Sequence, residues 1–473
     1  MAVDALSAAR PRVARPSPAA TVAGTALAVA LGTVTWMALA AAARPSVLSP
    51  PSLRGHAPWV LGPLAGLLHT APAPPAALQD HLTIGIAVLL GAWVLAWSTA
   101  GALPLRAVAI AVGAAQAVLV VGPPQPLTDT FNYVVYGRMT LHGINPYTNL
   151  PVAGPHGTVY ALSNWHHFPS PYGPLFTIMS IPLGLLPATA ALWVWKGVVL
   201  ACALGVLALV AALARRLGRS PQRAVAAVGL CPVTLVYGVG GLHNDGPSMV
   251  CLLAAALLIT GPAGPRDARL GAAAGALAVV AAGLKPSFAV VVPLVVLGAR
   301  DRAAAIAGAA AAGAATLVLV TAVFDAALPA IGLQGRLVTP LSVPNLAGVL
   351  AGHDGADPAV RAAARHVLIA VVALATALVA WRRGLALPAI GVVLLAALLT
   401  VSWVMPWYLA WSLPFVALSP WRRVVVPFVA LLCAWLVLGA GPQLPSVLHA
   451  VGYYPTRTTT GLQNHDLETE LVR

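Results

Sequence analysis

The sequence predicts an all-α polytopic transmembrane bundle of about thirteen spans, with a long first loop on the extracytoplasmic side. Three observations predict it. The 473 residues are 59% hydrophobic and 8% charged, with a mean hydropathy of +0.87, so nearly every segment carries the composition of a membrane span. The 43 Gly and 42 Pro fit membrane helices, where neighbours re-satisfy interrupted backbone bonds. The formal charge of +14 is carried almost wholly by arginines set singly, in doublets or in small clusters between apolar runs. That dispersion sets membrane orientation and gives no nucleic-acid-binding patch.

In chain order, 1–18 is a basic tail and 19–43 a retained signal-anchor helix. Further spans are expected at 82–101, 104–122, 190–214, 222–241, 247–262, 269–284, 287–300, 303–324, 363–381, 385–402, 406–419 and 424–440, all within one domain at 19–440. With the N-terminus inside, Arg10, Arg12 and Arg15 share a side with Arg106, Arg215, Arg216, Arg219, Arg223, Arg266, Arg269, Arg300, Arg302, Arg382, Arg383, Arg422 and Arg423, while most of the acids fall outside. The run 172–187 is apolar enough to span. Counting it would move every later arginine doublet outside, so it reads as a Pro-broken piece on the outer face, with a kinked span as the rival. The outer face then holds a first loop at 123–189, a second at 325–362 and a C-terminal tail at 441–473. Cys202, Cys231, Cys251 and Cys433 sit in apolar runs without paired spacing, which speaks against disulfides and zinc.

The polar interest is concentrated in 128–176. Asp129, Asn132, Tyr133 and Tyr136 recur at i, i+3, i+4 and i+7, so a short helix places an acid, an amide and two phenols on one face. Gly143 and Asn145-Pro146 end that helix, and Tyr147 and Tyr172 add further rings. Such a set suits a sugar or phosphosugar, and it equally suits a wetted outer loop. His243-Asn244-Asp245 lies at a helix end, either as a cavity group or as an ordinary cap. Lys285 is a phosphate partner or a snorkelling lysine, and Arg138 and Arg336 are alternative phosphate forks. Trp407 and Tyr408 are an interfacial belt or a sugar platform. No nucleotide-loop, zinc-protease or serine-hydrolase motif is present.

The pattern D-x-x-x-Y-x-x-x-G-x-x-x-x-x-G-x-N-P-Y from Asp129, followed by PSPYGPL, GGLHND, LKP and PWYLAW, resembles the GT-C glycosyltransferases that use polyprenyl-phosphate sugars. It is most similar to the actinobacterial polyprenyl-phosphomannose-dependent α-1,6-mannosyltransferases. The resemblance implies a plasma-membrane enzyme with an extracytoplasmic site, a lipid-linked mannose donor, a glycan or glycolipid acceptor and inverting transfer. It places Asp129 at the position of the first-loop acid, as general base, and His243, Asn244, Asp245 and Lys285 at further motif positions. Thr128 and Thr130 stand where the family often carries a second acid, so no cofactor is certain and a divalent metal stays an open alternative. A lipid or sugar transporter is the reading from another class. It would call for ionisable groups near the midplane and an internal repeat.

Overall fold

Apolar runs in lipid must close their own backbone hydrogen bonds, and the helix does so within one segment. The computed structural model of this chain describes residues 17–43, 48, 58–60, 62–68, 74–125, 129–329, 331–440, 444–450 and 452–454, and among these there are helices and no strands. The tail arginines Arg10, Arg12 and Arg15, Thr128, and most of 441–473 lie outside the described residues.

The α-helices run in order: α1 Pro18–Ala42, α2 Pro75–Thr99, α3 Leu105–Val121, α4 Asp129–Leu141, α5 Thr158–Leu162, α6 Pro174–Gly184, α7 Ala188–Arg216 and α8 Pro221–Gly229. After a wide-turned helical segment at Val233–Val239 come α9 Asp245–Ile259, α10 Asp267–Leu284, α11 Val292–Gly298, α12 Arg302–Phe324, α13 Ile331–Gln334, α14 Val343–Leu350, α15 Pro358–Trp381, α16 Ala386–Thr400, α17 Leu409–Ala417, α18 Arg422–Ala440 and α19 Leu444–Ala450. All thirteen expected segments are helical. Among the described residues, however, eight helices suffice by length and composition to cross a membrane (α1, α2, α7, α10, α12, α15, α16 and α18), or nine if α8 and Val233–Val239, bent by 53°, form one broken span. The segments at 105–121, 245–259 and 286–298 are shorter apolar helices, so a count of thirteen crossings is not established. α6 is also short, with 11 residues and Pro182 inside it, less than the roughly 20 residues a straight crossing needs.

The arginines separate the bundle into two ends. Arg302 donates to the carbonyl of Ala380 (2.8 Å) at the close of α15, Arg300 to Gly261 (3.0 Å) just past α9, and Arg422 to Ser98 (3.3 Å) at the close of α2. Arg216 caps Leu257 in the last turn of α9. Helix C-termini carry unpaired carbonyls and the negative pole of the dipole, so guanidinium groups complete them. These contacts bring the ends of α2, α7, α9 and α15 and the starts of α12 and α18 to one pole, as the charge pattern requires. Asp245 opens α9 at the end opposite the Arg216 and Arg300 contacts, with Lys285 paired to it, and Asp129, His243 and Trp407 contact one another beside that turn.

Two further contacts tie helices distant in sequence. Lys196, buried in α7, donates to the carbonyl of Gly122 (2.5 Å), the residue that closes α3. Cys231, at the break after α8, lies with its sulfur 3.9 Å from that of Cys433 in α18, and all four cysteines are free.

Candidate active site

α4 forms where the spacing predicts it, and its polar face is used in three ways. Asn132 donates to the side-chain oxygen of Asn164 (2.7 Å) and accepts the backbone N–H groups of Asn164 (3.2 Å) and Trp165 (3.3 Å). Tyr136 donates to the carbonyl of Phe168 (2.7 Å). Those two residues tie the helix to the returning half of its own loop. Asp129, at the first turn, turns the other way, toward His243.

The position of α4 is set by close backbone packing. A Cβ on Gly137 would stand 2.3 Å from the carbonyl oxygen of Ser180, so α4 and α6 touch main chain to main chain there. Tyr133 then packs edge-on against Tyr172 (4.9 Å), Phe176 (4.9 Å) and Trp195 (5.4 Å). This aromatic floor buries Tyr133 and leaves its hydroxyl reaching toward the backbone of Asn244 without closing a hydrogen bond. Burial first, and then the charges of Asp129 and Asp245, push the Tyr133 phenol well above its usual range, so it stays a proton donor. Tyr172 is raised in the same way, by burial and then by Asp129, and its hydroxyl is also unpartnered.

The second wall comes from the GGLHND turn. A Cβ on Gly241 would lie 2.2 Å from the carbonyl of Tyr237 and 2.8 Å from that of Gln125, so only glycine lets the chain double back here. Leu242 follows in the left-handed region (φ 56°), held by a hydrogen bond from the Trp195 indole to its carbonyl (2.8 Å). The outcome is that Nδ1 of His243 faces Oδ2 of Asp129 at 3.3 Å, and its ring stacks on Trp407 with centroids 3.6 Å apart. Asp245 opens α9 without acting as a side-chain cap. Its Oδ1 instead accepts from Lys285 (2.5 Å) and from the Trp411 indole (2.5 Å), and its Oδ2 has no partner. Lys285 also approaches Asn244 Oδ1 (3.5 Å) and lies 5.3 Å and 5.0 Å from the ring centres of Tyr408 and Trp411, within cation–π range.

Asp129, Tyr133, Tyr172, His243, Asn244, Asp245, Lys285, Trp407 and Tyr408, all expected from the sequence, are therefore gathered at one end of the bundle. Other expected residues do different work. Arg138 donates to Leu186 (2.9 Å) beyond the end of α6, and Arg336 is exposed, within electrostatic reach of Arg361. Asn145 donates to Phe324 (2.7 Å) at the end of α12, and Tyr147 bonds Tyr172 (3.0 Å) and Thr177 (2.8 Å). Asn164 and Trp411 were not among the expected site residues. The only signal for either was membership of an aromatic or amide-rich motif.

Among the described residues, no three His, Cys, Asp or Glu side chains converge to hold a metal ion. Asp129 and Asp245 face His243 and Lys285 separately, so the donor set does not fit a divalent cation.

A family model described as "Alpha-(1->6)-mannopyranosyltransferase, N-terminal domain" matches residues 29–301, more than half of the chain. The chain belongs to the alpha-(1->6)-mannopyranosyltransferase family. Within the family match lie Asp129, His243, Asp245 and Lys285, whereas Trp407, Tyr408 and Trp411 lie beyond it. The chain is 28% identical to alpha-(1->6)-mannopyranosyltransferase A of Corynebacterium glutamicum over 232 residues, covering 46% of this chain and 45% of that protein. It is 27% identical to alpha-(1->6)-mannopyranosyltransferase A of Mycobacterium tuberculosis over 339 residues, covering 66% of this chain and 64% of that protein. The alignments thus span from under half to just under two thirds of these relatives. No solved structure gives a significant match.

Proposed function

We propose that this chain is a multi-pass mannosyltransferase of the plasma membrane, using a polyprenyl-phosphate mannose donor at an extracytoplasmic site to extend a glycan or glycolipid by an α-1,6 linkage with inversion. The observation that carries the reading is the set of buried Asp129, His243 and Asp245 with half-buried Lys285, and the unpartnered hydroxyls of Tyr133 and Tyr172 beside it, at the pole away from the arginines. The α-1,6 mannose is taken from the names of the relatives. The lipid-linked donor is taken from the motif resemblance and from the setting. A prenyl phosphate leaves its tail in lipid and presents its sugar at the bundle end, so the site needs no nucleotide pocket.

Inversion at the anomeric carbon requires attack by an acceptor hydroxyl on the face opposite the departing phosphate. The Asp129–His243 pair provides the basic side, and removing a general base lowers rate by about 10²–10⁴. Of its three N–H donors Lys285 directs one to Asp245 and another, at 3.5 Å, to Asn244, which leaves one for the leaving phosphate, where charge builds in the transition state. Tyr133 and Tyr172 present hydroxyls, and Trp407 and Tyr408 present rings, to the sugar.

The test is transfer of label. Membranes containing the full chain are given radiolabelled prenyl-phosphomannose or, separately, labelled nucleotide-mannose with prenyl-phosphomannose synthesis blocked. Label is expected in extractable glycan from the first donor alone, and Asp129→Asn should sharply lower it. Transfer from the nucleotide sugar would overturn the lipid-linked donor, and no transfer from either would overturn the enzyme reading.

A further inference from the structure

We infer that the atom which receives the acceptor's proton is Nε2 of His243, and that Asp129 is a positioning residue that orients and polarises the imidazole. The inference rests on the transferase reading above and assigns the proton's path within it.

A carboxylate accepts hydrogen bonds and donates none. With Oδ2 of Asp129 3.3 Å from Nδ1 of His243, the carboxylate favours the tautomer of the neutral ring that carries its proton on Nδ1. Nε2 is then a bare lone pair on the opposite side of the ring. That atom is buried and has no hydrogen-bond partner. The ring is held from swinging by its stack on Trp407, at 3.6 Å and 15° between planes. Its backbone is fixed by the left-handed turn at Leu242 and the Trp195 bond to that carbonyl. An acid behind, an aromatic plate on one face and a free acceptor in front is the arrangement in which a carboxylate serves a histidine base. Asp129 itself is less free. Oδ2 is turned to His243, and Oδ1 stands 3.5 Å from Asn132.

The step balances within the groups named. The acceptor oxygen forms its bond to the anomeric carbon while its proton passes to Nε2 of His243. The bond from the anomeric carbon to the prenyl-phosphate oxygen breaks, and its electron pair leaves with the phosphate. His243 becomes an imidazolium facing the Asp129 carboxylate, and loses the proton to water or to the departing phosphate. The other ionisable groups of the cluster are Tyr133 from α4, Asp245 from α9, and Lys285 and Tyr408 from the neighbouring turns.

The test uses full-length protein in membranes with labelled prenyl-phosphomannose as donor. His243→Asn keeps an amide toward Asp129 and has nothing at the Nε2 position, so transfer should fall about 10²–10⁴-fold with little change in KM. The rate is followed across pH in wild type and in Asp129→Asn, and loss of the carboxylate beside Nδ1 should change the profile of the residual activity. If His243→Asn does not accumulate in the membrane, the Asp129→Asn profile answers the question with the ring intact. Near wild-type transfer by His243→Asn while Asp129→Asn is inactive would make Asp129 the base and overturn the inference, leaving the enzyme in place. A pH profile in Asp129→Asn identical to that of wild type would also overturn it. Full activity of both variants would instead remove the transferase reading.

Discussion

Tyr133 carries a buried hydroxyl with no hydrogen-bond partner, and leaving such a group unmade costs about 1–3 kcal/mol. If the hydroxyl waits for a sugar, Tyr133→Phe should lower transfer while leaving the melting temperature equal or higher. A variant that is less stable and equally active would return Tyr133 to a packing role. Lys285 is tested by two substitutions. Lys285→Ala should lose about ten- to a hundredfold in rate, the equivalent of roughly 1.5–3 kcal/mol for a charge-assisted bond, and Lys285→Arg should retain part of it. Equal rates for Ala and wild type would leave Lys285 as a structural partner of Asp245. At this scale the sequence was readable where a residue is rare in its surroundings. One of two lysines, and an acid opening an aromatic run, stand out against lipid-facing sequence, and both entered the site. Arg138 and Asn145 look the same to a reader whether they meet a phosphate or a helix end. Their carbonyl partners, Leu186 and Phe324, are set by the fold, and 179 positions separate Asn145 from Phe324.

Among the elements, α4 decides the geometry, and α6 decides where α4 lies. Gly137→Ala would drive a methyl into the Ser180 carbonyl, which the backbone can relieve only by separating the two helices. Overpacking of this kind costs about 1–3 kcal/mol, and here it should also lower activity, because Asp129 and Tyr133 move with α4. An unchanged melting temperature and rate would show that the contact tolerates a Cβ. The helical nature of α4 was legible from four residues at i, i+3, i+4 and i+7. Its partners, the 164–168 strip and α6, were not, since no local pattern encodes a contact across thirty positions. Helix length was also poorly legible. Apolar composition continues through turns and breaks, so the segments at 105–121, 245–259 and 286–298 read as spans although they are short.

For the molecule as a whole, the arginine pole predicts sidedness. Cysteine substitutions at the exposed positions Asn149 and Ala351 should react with an impermeant maleimide added to intact cells, and Ala263→Cys, on the arginine side, should react only after lysis. Labelling of Ala263→Cys from outside would invert the bundle and carry the candidate site to the cytoplasm. Charge asymmetry made this axis readable from sequence, because dispersed arginines have few reasons other than topology to alternate so regularly. The thiols of Cys231 and Cys433 extend the test to how the two halves of the chain are joined, since one lies inside the family-matched region and the other far beyond it. At 3.9 Å apart they are within reach of a single covalent staple. Mild oxidation should therefore tie the two halves into a loop that migrates faster on a denaturing gel until a reductant opens it, giving the fold an internal ruler that needs no mutation to read.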